Sequence, residues 1–195
     1  MALVPDTRYT LLRRICDPAD EASWEEFWRL YDPVVYRMSR RFGLQDADAR
    51  DLTQDVMAAV MQAIRRWEPD ENRGRFRAWL ATVVRNQTIS VLRRRHPGTR
   101  GSGDTGVLRQ LAAVPAKDAF TEEVRRAAFH QAAEVVQMQV EAPTWSAFWQ
   151  TSVLGQSVEE VSRELKLSVG SVYAARSRVL ARLRREIEIL LGDDE

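Results

Sequence analysis

Three aspartates, Asp48, Asp51 and Asp55, recur at helical spacing in the segment DARDLTQDV. Residues three and seven apart lie on one flank of a helix, so we expect the carboxylates to be neighbours. Clustered carboxylates are typical of Mg²⁺ sites in nucleases, but no general base or lysine accompanies them here. Asp48 and Asp51 also suit the positively polarised start of a helix. We favour a protein-docking surface that basic residues of a partner recognise.

Arginines dominate the next part of the chain. The block from Arg73 to Arg109 contains nine arginines and a single acid, Asp104. Phe76 and Trp79 are interleaved with arginines at its start. Arginine neutralises phosphates, and aromatic rings stack on unpaired bases with about 1–3 kcal/mol per base. The pattern therefore favours single-stranded or melted nucleic acid as a ligand. The alternative is that both aromatic residues belong to a core and that the arginines only solubilise the helix.

A third candidate site lies near the C-terminus. Ser157 and Glu160 match the S-x-x-E capping box that opens a helix, and Ser168 can cap a second helix over 168–186. A short helix, a tight turn and a longer helix have the dimensions of a helix-turn-helix. The polar and small residues expected to reach DNA are Ser171, Tyr173, Ala174, Arg176, Ser177 and Arg178, with Arg182, Arg184 and Arg185 continuing the basic strip. The alternative is an amphipathic helix with a solvated basic face.

Helices must carry these residues, because apolar positions recur at spacings of three and four without convincing alternation. The clearest stripe consists of Trp24, Phe27, Tyr31, Val34, Val35, Met38 and Phe42. Pro33 lies inside it and should kink or break the helix, whereas Gly43 should end it. Further helices are expected over 46–67, 76–95 and 121–140, with Pro143 in the first turn of the one after.

Glycine and proline locate a boundary between two domains. Residues 96–120 hold four of the nine glycines and two of the seven prolines, which is typical of a flexible linker. We therefore expect an all-α protein in which two small helical domains, 1–95 and 121–195, are joined by a flexible linker over 96–120.

Composition excludes several classes of protein. With 195 residues and 45% hydrophobic content the chain is not disordered throughout, and a net charge of +1 predicts no polyanionic partner from bulk charge alone. The single cysteine, Cys16, and two histidines exclude a disulfide scaffold and a structural zinc module. No apolar run is long enough for membrane insertion or typical of a signal peptide, so a cytoplasmic location is expected.

Two segments resemble a known family. DADARDLTQDV, followed by FRAWLATVVRNQTISVLRRR, resembles region 2 of bacterial extracytoplasmic-function (ECF) RNA polymerase sigma factors, which belong to the sigma-70 family. QSVEEVSRELKLSVGSVYAARSRVLARLRRE is similar to their region 4 helix-turn-helix. Both occur in the family's order, with a linker between them. PTWSAF together with SVGSVYAARSRVL resembles a planctomycete-type branch.

The resemblance implies a promoter-specificity subunit that is not an enzyme and needs no cofactor or metal. The implied partners are core RNA polymerase, through its beta-prime clamp helices and beta flap, promoter DNA, and as a further candidate an anti-sigma factor. The implied polymerase-binding residues are Asp48, Asp51, Leu52, Gln54 and Asp55. For the melted minus-10 element they are Phe76, Trp79, Arg85, Asn86, Arg93 and Arg94, with Asn86 beside a flipped base. For the minus-35 element they are Ser168, Ser171, Tyr173, Ala174, Arg176, Ser177 and Arg178.

Departures from the family pattern leave the promoter sequence open. Ser90 stands where many members have a polar or acidic residue, Lys166 replaces a frequent turn glycine, and Ala174 and Ala175 stand where Ser-Arg is common. Two other functions compete with the sigma factor hypothesis. The first is a dimeric helix-turn-helix repressor that acts without polymerase. That hypothesis gives no function to the helix that carries the three aspartates or to the FRAWL segment. A helical metal-dependent nuclease would use the three aspartates.

Overall fold

The computed structural model describes residues 8–65, 76–95 and 116–192, and within these ranges the chain is helical with no strand. The helices are α1 (Tyr9–Arg14), α2 (Glu21–Arg41), α3 (Asp46–Ile64), α4 (Phe76–Arg95), α5 (Ala116–Gln139), α6 (Ala142–Phe148), a π-helical turn (Trp149–Val153), α7 (Val158–Glu164) and α8 (Val169–Leu191). The all-α prediction is confirmed. Among the described helices, none combines the length and the apolar character that crossing a membrane requires.

The chain divides into two compact units, and the division along the chain falls between Ala127 and Ala128. The first unit contains α1 to α4 and takes in the start of α5, so it extends beyond the predicted boundary at residue 95. Most of the predicted linker, 96–115, lies outside the described residues. The linker and the two predicted domain ranges therefore stay predictions.

The first unit is built around an aromatic core. Helices α2 and α3 pack against each other, and α4 packs against both. The predicted apolar stripe of α2 is buried along its whole length. Ring centroids of Phe27 and Tyr31 lie 4.7 Å apart, and Phe76 of α4 meets them edge-on at 5.8 and 5.7 Å. Edge-to-face pairs are a favourable aromatic geometry, so α4 is fixed to α2 through Phe76.

Helix α2 passes through Pro33 without a break. The sequence predicted a kink or a break at Pro33. The prediction of a break is wrong, because α2 runs from Glu21 to Arg41 as one helix. An interior proline costs about 3 kcal/mol. Burial of Val34, Val35 and Met38 beyond it, at about 1.5–3 kcal/mol for each side chain, outweighs that cost. Tertiary packing therefore overrides the local signal.

The predicted stop after α2 is confirmed. Gly43 follows the helix with φ +93°, the left-handed conformation that glycine adopts without a Cβ penalty. Its N–H donates to the carbonyl of Arg40 at 3.0 Å, and the Leu44 N–H donates to that of Ser39 at 3.2 Å. These two bonds satisfy carbonyls at the helix end and turn the chain toward α3.

The second unit has two apolar clusters that share α8. One joins α5, α6 and α8 and contains Ala132, Ala133, Val136, Phe148, Val179 and Leu183. The other joins α6, α7 and α8 and contains Ala147, Val158, Val161, Val172 and Ala175. Pro143 lies in the first turn of α6, as predicted. Because α6 and α7 both pack on α8, they fix its position at the surface of the unit.

Both predicted helix starts of the helix-turn-helix are confirmed. The Glu160 N–H donates to Ser157 Oγ at 3.2 Å, and the Ser157 N–H donates to Glu160 Oε2 at 3.1 Å, which completes the capping box of α7. At α8 the Ser171 N–H donates to Ser168 Oγ at 3.1 Å. These side chains replace the intrahelical partners that the first N–H groups of a helix lack.

The turn between α7 and α8 is left-handed at Lys166, whose φ is +53°. The Leu167 N–H donates to the Ser162 carbonyl at 3.0 Å, and Ser162 Oγ donates to the Leu167 carbonyl at 2.6 Å. A left-handed residue with these bonds closes a helix in the manner usual for glycine. At position 166 the sequence therefore has lysine, whereas glycine would adopt this left-handed conformation without backbone strain.

Candidate nucleic-acid interface

The predicted docking residues of α3 divide between surface and core. Asp51, Gln54 and Asp55 are exposed, whereas Asp48 and Leu52 retain only 7% and 1% of their accessible surface. Leu52 lies one helical turn after Asp48, and both side chains are covered by the rest of the first unit. Of the three aspartates that helical spacing places on one flank, Asp51 and Asp55 are therefore exposed and Asp48 is buried. Within the described ranges, no group of three or more acidic, histidine or cysteine side chains could hold a metal ion.

A polar network that the sequence analysis missed orders the start of α3. The Tyr36 hydroxyl donates to Asp46 Oδ1, and Arg50 Nε donates to Asp46 Oδ2 at 2.9 Å. These two hydrogen bonds lower the pKa of Asp46. The Arg50 guanidinium also lies 5.4 Å from the Tyr36 ring centroid, within cation–π range. The spacing of Asp46 and Arg50, four residues apart, was the signal available in the sequence.

This network leaves an uncompensated acidic surface on α3. Arg50 is the nearest basic residue in sequence to Asp51, yet it forms its ion pair with Asp46. Within the described part of the chain, no cation forms an ion pair with Asp51 or Asp55. The exposed face therefore presents two unpaired carboxylates with the Gln54 amide between them.

The structure places the two aromatic residues of α4 differently. Phe76 is buried, with 1% exposure, in the aromatic core described above, whereas Trp79 is half-buried and packs its ring 5.5 Å from Phe76. Phe76 is therefore a core residue rather than a stacking platform. The indole of Trp79 keeps accessible surface, so one aromatic of the predicted pair remains available to a base. Arg77, between them in sequence, is buried.

Two of the remaining predicted residues of α4, Asn86 and Arg94, lie on its exposed side. Arg85 is half-buried, while the side chain of Arg93 lies outside what the structure describes. Asn86 and Arg94 line an open pocket of about 450 Å³ together with Ile89 and Ser90. Ile89 and Ser90 were absent from the predicted set. Their positions three and four residues after Asn86, on the same helix face, were the signal that could have found them.

The predicted DNA-reading residues of α8 are exposed, apart from Arg176, which is half-buried. Tyr173 keeps 54% of its surface. The Ser168 hydroxyl is committed to capping Ser171. Four exposed residues follow one another along α8 at spacings of four, three and four: Ala174, Arg178, Ala181 and Arg185. Two small residues alternate with two arginines there, which suits close approach to a phosphate-lined groove.

Arg182 serves a different purpose from its neighbours. Its Nη1 donates to the carbonyl of Gln139, the last residue of α5, at 3.1 Å. A basic side chain at this position satisfies an orphan carbonyl and complements the negative end of the helix dipole. Arg182 is therefore a capping residue of α5, and Arg184 and Arg185 continue the exposed basic strip beside it.

Comparison with known proteins identifies the family. The family model for sigma-70 region 2 matches residues 27–97, which contain most of α2 and all of α3 and α4. The chain is 30% identical over 157 residues to the RNA polymerase sigma factor CnrH of Cupriavidus metallidurans, covering 77% of this chain and 78% of that protein. The chain belongs to the ECF group of the sigma-70 family. The planctomycete-type branch stays a prediction.

Other similarities of this sigma-70 family member are more distant. It is 27% identical over 174 residues to the ECF RNA polymerase sigma factor SigE of Mycolicibacterium smegmatis. This alignment covers 84% of this chain and 60% of the length of that relative. The solved structure of CnrH in complex with the cytosolic domain of CnrY aligns with 92% of this chain and 96% of that chain, at 19% identity and a TM-score of 0.38.

Proposed function

We propose that the protein is a promoter-specificity factor that binds core RNA polymerase and directs it to promoter DNA for transcription initiation. In this function it catalyses no reaction and acts in the cytoplasm. The observation that carries the proposal is that the two units present different kinds of binding surface. One unit presents an acidic surface on α3 and a polar pocket on α4, and the other presents a helix-turn-helix with an exposed reading helix.

Docking on polymerase is assigned to the exposed part of α3. Asp51 and Asp55 carry the charge, and Gln54 offers an amide between them. Unpaired carboxylates attract a basic partner over distances of about 8 Å at physiological salt. The beta-prime clamp helices of core polymerase are the partner that the family resemblance implies. Asp48 and Leu52 support this surface from the core side of the helix.

Reading of the melted minus-10 element is assigned to the outer side of α4. From Trp79 to Arg94 the helix rises about 22 Å, at 1.5 Å for each residue, which is enough for a short run of unpaired nucleotides. Trp79 supplies a stacking surface at one end and Arg94 a phosphate contact at the other. The amide of Asn86 between them can read the edge of a flipped base. Phe76 is left out of this set because it is buried.

Reading of the minus-35 element is assigned to α8. Its capped start and its exposed face match the docking of a recognition helix, whose first turns enter the major groove. Tyr173, Ala174, Ser177 and Arg178 reach solvent there. Further contact of this unit with the polymerase beta flap, and regulation by an anti-sigma factor, stay predictions.

The mechanism is one of effective concentration. Each reader contacts only a few nucleotides and binds weakly by itself. Once polymerase fixes the distance between two linked readers, binding of the second becomes intramolecular, and the combined affinity exceeds that of either reader by about 10²–10⁴-fold. Promoter selection then depends on both elements and on the spacing between them.

Co-purification with core polymerase tests the proposal. We expect the wild-type chain to bind stoichiometrically and to support run-off transcription from promoters enriched by the holoenzyme. The double variant Asp51→Arg, Asp55→Arg should lose both properties. A control variant, Glu134→Arg, reverses an exposed acid of α5 and should keep them. A folded wild-type chain that binds duplex DNA tightly but ignores polymerase would contradict the proposal and favour a repressor.

A further inference from the structure

The turn between α7 and α8 holds a lysine in an unfavourable backbone conformation. Lys166 has φ +53°, and among the described residues it is the only one other than glycine with a positive φ. A residue with a Cβ is strained in this left-handed region, and such strain is concentrated at functional sites. Glycine would make the same turn without strain, so the fold by itself does not require a lysine. The side chain of Lys166 is therefore a candidate for contact with a partner.

The backbone of Lys166 is fixed, while its side chain is available. The Leu167 N–H donates to the Ser162 carbonyl at 3.0 Å, and Ser162 Oγ donates to the Leu167 carbonyl at 2.6 Å. Strained conformations persist only where the surrounding structure fixes them, and these two bonds do so here. The lysine side chain itself is exposed and forms no ion pair within the part of the chain that the structure describes. Its positive charge is therefore free to meet a negative partner.

Lys166 supplies a charge that the start of α8 lacks. The segment LSVGSVYAA, which follows Lys166, contains no basic residue. Five arginines come after it: Arg176, Arg178, Arg182, Arg184 and Arg185. A recognition helix enters the major groove with its first turns, so these turns lie close to the phosphates that border the groove. The cation nearest in sequence to the start of α8 is Lys166.

The length of this uncharged stretch fits the width of the groove. From Ser168, two residues after Lys166, to Arg178 the chain rises about 15 Å, at 1.5 Å for each helical residue. The major groove is about 12 Å wide, so cations at the two ends of the stretch can reach phosphates on opposite strands. Arg178 is exposed, as Lys166 is. A lysine ammonium is a point charge on a flexible stem, which suits a phosphate and carries no information about the base.

We propose that Lys166 binds a backbone phosphate of duplex DNA at the start of α8. This assignment rests on the proposed function, because it needs promoter DNA at the helix-turn-helix. It adds a residue outside α8 to the DNA-binding set, and the contribution of that residue to affinity does not depend on base sequence. It also gives a reason for the strained turn, since lysine at position 166 lowers the stability of the second unit and strengthens DNA binding.

The test is the salt dependence of promoter binding by the complex of the chain with core polymerase. Dissociation constants on duplex promoter fragments are measured between about 0.1 and 0.5 M salt for the wild type, Lys166→Gln, Lys166→Gly and Lys166→Arg. Arg29→Gln is the control, because it removes one exposed positive charge of α2, far from α8 in sequence. Co-purification of each variant with polymerase is checked first.

Loss of one phosphate contact should make the slope of log K against log salt less steep by about 0.9, which corresponds to about 8-fold weaker binding at 0.1 M salt and about twofold at 0.5 M. We expect this change from Lys166→Gln and Lys166→Gly, whereas Lys166→Arg and the control should keep the wild-type slope. Because Lys166→Gly also removes the backbone strain, reduced stability cannot explain its weaker binding.

Two results would contradict these expectations at different levels. If Lys166→Gln keeps the wild-type slope, whatever its affinity, Lys166 binds no phosphate and the proposed function stands. If the wild-type complex itself does not bind duplex promoter fragments, the proposed minus-35 function fails, and the assignment of Lys166 fails with it.

Discussion

Replacing Lys166 with glycine should stabilise the helix-turn-helix. Lys166 is an exposed residue held at φ +53° by the closing bonds of α7. For an L-residue this conformation costs about 1–2 kcal/mol, because the Cβ approaches the carbonyl oxygen. Glycine has no Cβ and avoids that cost. It also makes the unfolded chain more flexible, which opposes folding by about 0.4–1 kcal/mol.

The difference between these two effects gives the expected magnitude. Lys166→Gly should raise the free energy of unfolding of the second unit by about 0.5–1 kcal/mol. For a domain of this size, a change of 1 kcal/mol shifts Tm by about 4–8 °C, so we expect a rise of about 2–8 °C. The exposed lysine forms no ion pair with any described residue, so little else is lost.

Native-state hydrogen exchange of the full chain is the suitable assay, because it reports each unit separately. The amides of Val172 and Val179, in the buried face of α8, should exchange more slowly in Lys166→Gly. Lys166→Ala is the matched control, since it removes the side chain but keeps the left-handed cost. Gly155→Ala is the converse test. Its φ is +71° and no described atom lies within 4 Å of the added Cβ, so only conformation opposes the change, by about 0.5–1 kcal/mol. If Lys166→Gly proved no more stable than Lys166→Ala, the reasoning would be refuted.

Three further predictions concern helix starts and the aromatic core. Ser157→Ala should cost about 1 kcal/mol through loss of the capping box, with faster exchange at the start of α7 as the readout. The pKa of Asp20 lies at about 2, against an ordinary 3.8, because Arg14 and Ser23 donate hydrogen bonds to its carboxylate. Its contribution to stability is therefore present above about pH 4 and is lost as the pH falls toward 2, and Asp20→Asn should flatten that part of the pH profile of unfolding. Phe76→Ala should lower the free energy of unfolding by about 3–5 kcal/mol. Phe76→Leu should fold and keep binding to melted DNA. Loss of DNA binding in a folded Phe76→Leu variant would contradict the assignment of Phe76 to the core.

The sequence determined the features that depend on neighbours along the chain. The capping box at Ser157, the cap at Ser168, the stop at Gly43 and the helix start at Pro143 were all predicted and are confirmed. Each is decided within a few residues, because a helix end needs only a local partner for its unpaired N–H or C=O groups. The apolar stripe of α2 was also predicted correctly, since helical periodicity fixes which residues share a face.

Tertiary structure alone decided which of the chemically suitable residues reach solvent. Asp48 and Phe76 carried the residue types of a binding site and are buried, while Ile89 and Ser90 were not selected and line the pocket. A helix face becomes core or surface according to the helices that pack on it, and those come from distant parts of the chain. The same reason explains Pro33 and Arg182. Burial beyond Pro33 keeps α2 whole, and the end of α5, 43 residues away in sequence, makes Arg182 a capping residue.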